Sequence, residues 1–480
     1  MNRYAGVLLS VTSLPSKYGI GCFDQAAYDF VDWLEKAGQR YWQILPLGAT
    51  SHGASDDSPY QAYSAFAGNP YMISLDALID EGVLTQGECD AIDFGTNPAK
   101  VDFDKLNDNR LKLLHKAYER SNIAQDADFR NFCSANAWWL DDYALFMSLK
   151  TFFGDMSFRD WPEDIRMHWG FAVDYYNREL YFDIEFQKYL QFKFDQQWSK
   201  LKAYANARHI QIVGDIPIYV SPEGSDVWAH PELFQLDENN VSTAIAGCPP
   251  DAFAADGQVW GNPLYRWDFH RATGFEWWVS RMWYSFKLYD VVRVDHFRGF
   301  DEYFSIPADS ASAKEGHWEK GPGMDLFRTI HYRLGDVNII AEDLGALDAG
   351  VYNLIRLTGF PGMNVWQFSA DEMQAMTPEQ CRNRIFYSGT HDNQTLAGWC
   401  AAAFPDEDAA ARADEIIRAL YESAAPWAIV QLQDMLSLGD EARLNVPGTP
   451  EGNWRWRVDA ALLTDETAQR YRKLAEETKR

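Results

Sequence analysis

Short apolar segments alternate with longer amphipathic segments along most of this chain of 480 residues. The apolar segments are rich in β-branched and aromatic residues, a pattern that predicts buried β-strands. Eight strands are predicted, at residues 6–11, 41–46, 210–213, 291–294, 337–341, 363–368, 384–387 and 443–446. Between many of them, apolar residues recur at helical spacing, most clearly at residues 23–37, 185–205 and 325–334. This alternation of strands and helices predicts an α/β fold with a parallel sheet.

The predicted strands are unevenly spaced, which indicates insertions. About 160 residues separate the second predicted strand from the third, whereas a βαβ unit takes roughly 30. We therefore predict a mainly helical inserted subdomain at residues 75–167. A second excess of chain, at residues 221–288, contains proline- and glycine-rich sequences at 221–224 and 248–250 and is predicted to be a loop-rich insertion. A polar helix is predicted at residues 464–480.

Three of the predicted strands lead into a carboxylate. Asp295 ends the fourth strand, Glu342 follows the fifth, and Asp392 comes shortly after the seventh. A buried strand can be apolar throughout, but a charge at its end must face water, a partner or a ligand. Because (β/α)8 enzymes have their active sites at the carboxyl ends of the strands, these acids predict a single site. An Asp together with a Glu is the minimum equipment for cleaving a glycosidic bond.

Each acid also has a purely structural interpretation. Arg293 and Asp295 lie on one face of their strand, so the guanidinium can either keep a nucleophile ionised or form a strand-end ion pair. Glu342 can be a partly buried general acid or the N-cap of a helix, although Asp343 can take the capping role. Asp392 can stabilise a positively charged transition state or belong to a polar turn. The occurrence of all three at successive strand ends favours catalysis.

The composition narrows the classes of function. With 70 acidic and 43 basic residues the net charge is −27, which disfavours nonspecific binding to nucleic acid or to an anionic membrane. The six cysteines show no zinc-ligand spacing, so no metal site is predicted. The N-terminus lacks a signal-peptide core, and no apolar run reaches the roughly 18 residues of a membrane span, so we expect a cytoplasmic protein. Aromatic residues make up 15% of the chain and can stack on sugars as well as fill a core.

Several of these sequences belong to longer motifs that are specific to one family. The chain resembles the 4-α-glucanotransferases, also called amylomaltases or disproportionating enzymes, from about Gly6 to Trp456. The motifs that carry the resemblance lie at residues 9–15, 43–47, 58–70, 214–220, 249–251, 257–265, 293–299, 341–345 and 389–392. The chain departs from the family pattern at Ala252, where a tyrosine is common in a loop that arches over the glucan.

The resemblance implies a (β/α)8 TIM barrel of the α-amylase superfamily, with helical and loop-rich insertions and no separate C-terminal β-domain. The insertion at residues 221–288 would cover the substrate. Asp295 would be the nucleophile, Glu342 the acid/base and Asp392 the carboxylate that stabilises the transition state. The residues implied in substrate binding are Tyr60 beneath the transferred sugar, Asp215, Arg293, His296 and His391 around it, Trp260 beyond the cleavage point, and Ser58, Asp371 and Asn453 as hydroxyl partners.

The activity that the resemblance implies is transfer of a segment of an α-1,4-glucan to the 4-hydroxyl of glucose or of another α-1,4-glucan. It would proceed by a retaining double displacement through a covalent glucosyl–aspartate intermediate, with no cofactor and no metal. The expected partners are maltooligosaccharides and α-1,4-glucans, with no nucleic acid and no membrane. The protein is expected to be a monomer or a homodimer that acts in glycogen or starch metabolism.

Three alternatives remain open at this point. An α-glucan hydrolase would have the same three acids but would not form chains longer than its substrate. A binding protein built on an inactive barrel would show no turnover. A structural or interaction protein of the same fold would have no reason to place Arg293 and Asp295 beside Glu342.

Overall fold

A computed structural model describes residues 2–51, 57–250, 256–345, 347–449 and 451–480. The strands in these ranges are β1 (Tyr4–Leu8), β2 (Tyr41–Gln43), β3 (Gln211–Pro217), β4 (Ala244–Cys248), β5 (Gln258–Pro263), β6 (Val291–Asp295), β7 (Glu302–Pro307), β8 (His317–Lys320), β9 (Ile339–Ala341), β10 (Gly362–Val365), β11 (Arg384–Tyr387) and β12 (Trp427–Gln431). The helices are α1 (Gln25–Lys36), α2 (Leu75–Asp80), α3 (Gln86–Asp90), α4 (Phe103–Arg120), α5 (Ala127–Phe152), α6 (Glu163–Arg166), α7 (Gly170–Glu179), α8 (Tyr181–Ala207), α9 (Ser225–Ala229), α10 (Trp267–Ala272), α11 (Glu276–Leu288), α12 (Met324–Leu334), α13 (Ala349–Thr358), α14 (Trp366–Ala375), α15 (Pro378–Cys381), α16 (Leu396–Ala403), α17 (Ala409–Glu422), α18 (Leu432–Met435) and α19 (Asp465–Thr478).

Eight of these strands form one parallel sheet in the order β10-β11-β12-β1-β2-β3-β6-β9. Because β1 pairs with both β2 and β12, the sheet curls round on itself and brings its two outer strands, β9 and β10, side by side. A backbone hydrogen bond from the N–H of Ala341 to the carbonyl of Pro361, 2.9 Å long, crosses between them. The predicted (β/α)8 barrel is confirmed.

Inside the barrel, an apolar cluster fills the middle and charged side chains lie toward the carboxyl ends of the strands. Each barrel strand contributes to an interior apolar cluster that is separate from the main core and consists of Leu8, Tyr41, Val213, Val291, Ile340, Met363, Val365, Ile385, Tyr387 and Ile429. Burial of one such aliphatic side chain contributes about 1.5–3 kcal/mol. Since side chains alternate along a strand, Arg293 and Asp295 share the face of Val291 and lie above it. The core therefore positions charged groups at the carboxyl edge.

Helix α1 shows how local sequence fixes an element of the outer layer. The carboxylate of Asp24 caps its first turn by accepting the N–H of Ala26 at 3.1 Å. Phe30 and Leu34, four residues apart on one face, are fully buried against the barrel. Gly38, with φ of +70°, follows the helix in the left-handed conformation that glycine tolerates best. The helix predicted at residues 23–37 is confirmed.

One predicted strand is wrong. Residues 443–446 form an irregular segment, and the eighth barrel strand is β12, Trp427–Gln431. The polar–apolar alternation at 443–446 arises because Leu444 is buried, while its neighbours Arg443 and Asn445 make side-chain hydrogen bonds on the other side. The other seven predicted strands are present, one of them, 384–387, with the predicted ends and six with shifted ends.

The long insertions contain most of the remaining structure. Residues 75–167 hold α2 to α6, and α5 packs along α8. Residues 221–288 hold α9 to α11 and strands β4 and β5, more regular structure than the loop-rich prediction, because the aromatic segment 276–288 is helical. Strands β5, β4, β7 and β8 form an antiparallel sheet beside the barrel. The boundaries of the two subdomains stay predictions.

The helix predicted at residues 464–480 is present as α19, which spans 465–478. A bilayer-spanning helix is absent from the described ranges, because no helix there combines the needed length with an apolar sequence.

Candidate active site

A buried arginine joins two carboxylates at the carboxyl ends of neighbouring strands. The register of β3 and β6 places Asp215 opposite Arg293. The Nη1 of Arg293 donates to both carboxylate oxygens of Asp215, at 2.7 and 2.6 Å, and its Nη2 donates to Oδ1 of Asp295 at 2.9 Å. Burial raises the pKa of Asp215, and the guanidinium opposes that shift. The Arg293–Asp215 ion pair thus fixes the orientation of Asp295, whose side chain is one-third exposed and faces solvent.

Glu342 is held by backbone N–H groups on both sides. Its Oε2 accepts the N–H of His296 and its Oε1 accepts the N–H of Leu344, each at 2.7 Å. Burial, reinforced by the negative charge of Asp295, raises the pKa of Glu342 to about 7 against the opposing effects of Arg293 and the two N–H groups. Near neutral pH this carboxyl group can therefore both give and take a proton.

Asp392 receives support that the sequence did not reveal. The side-chain amide of Asn445 donates to Oδ1 of Asp392 at 2.6 Å, and Arg443 donates to the Asp392 carbonyl at 2.7 Å. His391 Nε2 lies 3.3 Å from the same Oδ1. The side chain of Asp392 stays nearly half exposed, so an oxygen remains accessible. Arg443 and Asn445 were missed because their segment was predicted to be a strand.

Three rings form an aromatic wall beside the carboxylates. Tyr60 stacks on His391 with centroids 5.1 Å apart, and Trp454 lies 5.9 Å from Tyr60 and 5.8 Å from His391. The hydroxyl of Tyr60 donates to Oδ2 of Asp215 at 2.8 Å. Ser58 acts on this wall indirectly, because its Oγ accepts the N–H of Tyr60 at 3.3 Å. Trp454 is a member of the wall that sequence reasoning missed.

His296 and Trp260 form a second pair of rings beside Glu342, whose Oε2 accepts the His296 N–H. Their rings meet edge to face with centroids 4.8 Å apart, and Trp260 Nε1 donates to the side chain of Gln258 at 2.9 Å. Burial lowers the pKa of His296 to about 4, so the imidazole is neutral at pH 7. Its Nε2 is buried and has no hydrogen-bond partner within the described residues. A neutral ring nitrogen of this kind suits a hydroxyl group of a ligand.

Two further candidates lie apart from this group. Asn453 accepts the N–H of Val446 at 2.9 Å and donates to the Thr449 carbonyl at 3.0 Å, which closes the turn after residue 445. Asp371 lies exposed on α14, beyond the end of β10. Ala252 belongs to residues 251–255, outside the described ranges.

Comparison with known proteins gives concordant matches over almost the whole chain. A family model described as 4-alpha-glucanotransferase matches residues 9–463. A 4-alpha-glucanotransferase of Streptococcus pneumoniae is 44% identical, over 96% of this chain and 94% of the relative. One of Thermus thermophilus is 42% identical, over 100% and 99%. Among solved structures, amylomaltase from Streptococcus agalactiae in complex with acarbose has a TM-score of 0.93 at 38% identity, over 100% of this chain and 99% of that one.

Proposed function

The chain belongs to the 4-alpha-glucanotransferase family, and on that premise we propose that Asp295, Glu342 and Asp392 carry out its reaction. That reaction transfers a segment of an α-1,4-glucan to the 4-hydroxyl of glucose or of another α-1,4-glucan, by a retaining double displacement through a covalent glucosyl–aspartate intermediate. The observation that carries the residue assignment is the geometry of two carboxyl groups at adjacent strand ends: Glu342 is held by the N–H groups of His296 and Leu344, and Asp295 is oriented by Arg293.

In the first displacement, Asp295 attacks the anomeric carbon of the donor glucan. The bond from that carbon to the departing 4-oxygen breaks, and Glu342 gives its proton to this oxygen. Oδ1 of Asp295 is held by Arg293, which leaves Oδ2 as the attacking atom. Asp392 places its negative charge where positive charge develops on the sugar ring.

In the second displacement, the acceptor replaces the enzyme. Glu342, now ionised, takes the proton from the 4-hydroxyl of the acceptor, whose oxygen attacks the anomeric carbon and releases Asp295. Two inversions at the same carbon restore the α configuration. Transfer exceeds hydrolysis when the bound acceptor keeps water from the intermediate. We propose that Trp260 and the loop beside it exclude water together with the acceptor.

The surrounding side chains bind the sugars. Tyr60, supported by the stacked and buried His391, offers a flat ring for the transferred glucose, and the neutral His296 offers a ring nitrogen for a hydroxyl group. Ser58 and Asn453 contribute by holding in place Tyr60 and the backbone of Val446 and Thr449. We also propose that Asp371 accepts a hydrogen bond from a hydroxyl group of a longer glucan.

Proton transfer by Glu342 and covalent attack by Asp295 complete the chemistry, so the mechanism includes no cofactor or metal. We further propose that the enzyme acts on maltooligosaccharides in the cytoplasm as a monomer or homodimer and has no nucleic acid or membrane partner.

The activity is tested by incubating the purified protein with maltotriose alone and separating the products by chromatography. Transfer between two maltotriose molecules yields glucose and maltopentaose, followed by longer chains. A hydrolase would yield glucose and maltose with nothing longer than the substrate, and that outcome would contradict the acceptor site described above.

The pH dependence follows from the raised pKa of Glu342. Below about pH 7 the group is protonated and can act as the acid in the first displacement, and above it the protonated fraction falls about tenfold per pH unit. We expect kcat/KM for maltotriose to decline on the alkaline side with a midpoint near pH 7. A profile that stays level up to pH 9 would contradict the assignment of Glu342.

Asn445→Ala is expected to lower kcat about 10- to 100-fold, because a hydrogen bond to a charged acceptor is worth roughly 1.5–3 kcal/mol and its loss leaves Asp392 poorly oriented. The matched control is Asn206→Ala. It removes an Asn–Asp hydrogen bond of 2.8 Å, to Asp290, at the opposite edge of the barrel. Steady-state kinetics on both variants should show the loss in the first and near-native turnover in the second. Equal kcat values in the two variants would show that Asn445 does not contribute to the active site.

A further inference from the structure

The parallel sheet has a seam between β9 and β10, the two strands at the ends of its order. Glu342 lies at this seam, directly after β9. On one side its backbone N–H donates to the Val294 carbonyl of β6 at 3.1 Å, and on the other side the neighbouring Ala341 reaches Pro361. Strand β9, which leads into the proposed acid/base Glu342, therefore pairs regularly with β6 but not with β10.

A buried ion pair crosses the seam at the next residue. The carboxylate of Asp343 accepts the N–H of Met363 in β10 at 2.7 Å. It also pairs with Arg384 in β11, whose Nε donates to the side chain of Asn364 at 2.6 Å and whose Nη2 donates to the Met363 carbonyl. The Asp343 side chain is 1% exposed. Asp343 and Arg384 thus connect the end of β9 to the two strands that follow it.

The backbone leaves room for this pair at one position. A Cβ atom at Gly362, the first residue of β10, would collide with Nη1 of Arg384 and Oδ2 of Asp343. A glycine at this position is therefore required by the ion pair itself. Since well-packed apolar side chains often stabilise a core as well as a buried ion pair does, the pair is better explained by the geometry it imposes.

We propose that Asp343 and Arg384 are positioning residues. They close the seam between β9 and β10 and thereby hold Glu342 in its position relative to Asp295. This inference rests on the proposed role of Glu342 as acid/base. Asp343 directs its carboxylate into the seam, so it acts through the backbone of its neighbour and touches no reacting atom.

Loss of the Asp343 charge should also change the environment of Glu342. The charged groups that face Glu342 are Asp295 and Arg293 from β6, and the neighbouring His296 is neutral. Asp343→Asn would leave Arg384 without its carboxylate partner and would let water enter the loosened seam. Both changes favour the ionised form of Glu342, so the alkaline limb of the pH profile should move to lower pH.

The test compares Asp343→Asn with Asp290→Asn. Asp290 precedes β6 at the opposite edge of the barrel, where its carboxylate likewise accepts a backbone N–H of the neighbouring strand, that of Ile212, at 2.8 Å, and pairs with Lys202. We expect Asp343→Asn to lower kcat about 10- to 100-fold with little change in KM. Its alkaline limb should shift down by about half a pH unit or more. Asp290→Asn should keep the native kcat and the native alkaline limb of the pH profile, even where the substitution lowers the Tm.

An unshifted limb in folded Asp343→Asn, or an equal loss of kcat in both variants, would reduce the pair to a structural role and overturn the inference. If Asp343→Asn does not fold, Arg384→Lys decides. Lysine keeps the charge but cannot reach Asp343, Met363 and Asn364 together. A native kcat and limb in that variant would overturn the inference equally. Absence of the alkaline limb from the native enzyme would instead contradict the role of Glu342.

Discussion

Asp295→Asn is expected to lower kcat for glucan transfer by about 10⁴-fold or more, because no other group can form the covalent intermediate. The amide keeps the shape of the side chain but is a poor nucleophile. Folding should be almost unaffected, since Arg293 keeps both of its bonds to Asp215 and the Asp295 side chain is partly exposed. The measurement is the initial rate of glucose release from maltotriose, with thermal unfolding as a check on the fold.

Asp290→Asn provides the matched control for this variant also. Asp290 directly precedes β6, the strand that Asp295 ends, so the two substitutions alter opposite ends of one element. We expect native turnover from Asp290→Asn. If Asp295→Asn retained activity within tenfold of the native enzyme, the nucleophile would have to be another residue.

The positions of Asp295 and Glu342 could be predicted from the sequence because a simple physical rule identifies them. A strand buried on both faces has no place for a charge until it ends, so Asp295 and Glu342 mark the carboxyl edge of the barrel. The same rule explains the layering inside the barrel, where Val291 lies below Arg293 and Asp295 on one face. The strand pattern therefore predicts the edge, whereas the roles proposed for its acids come from the resemblance to the 4-α-glucanotransferases.

The contacts between segments could not be predicted in this way. The link from Arg293 to Asp215 depends on the register of β3 against β6, which no local pattern encodes. Asn445 and Trp454 lie in irregular chain, and Trp454 has a φ of +62°, a left-handed conformation that its sequence does not signal. Leu444 is buried between two polar neighbours, and the resulting alternation imitates a strand. Such residues become visible only when the loop is folded against the site.

Glu342→Gln is expected to separate the two displacements. With a glucan donor, kcat should fall about 10³-fold or more, because glutamine cannot protonate the leaving oxygen and general acid–base catalysis contributes roughly 10²–10⁴-fold at each step. With an α-maltosyl fluoride donor the first displacement should be largely spared, since fluoride leaves without a proton. The second displacement still needs a base, so the covalent intermediate should accumulate.

Mass spectrometry of the Glu342→Gln protein after incubation with the fluoride donor tests both assignments together. A mass increase of one maltosyl unit, located in the peptide that contains Asp295, is the expected result. The double variant with Asp295→Asn is the control and should acquire no adduct. An adduct on another carboxylate, or a glucan-donor rate near that of the native enzyme, would refute the mechanism, because retention through Asp295 requires that this residue carry the sugar and that Glu342 release it.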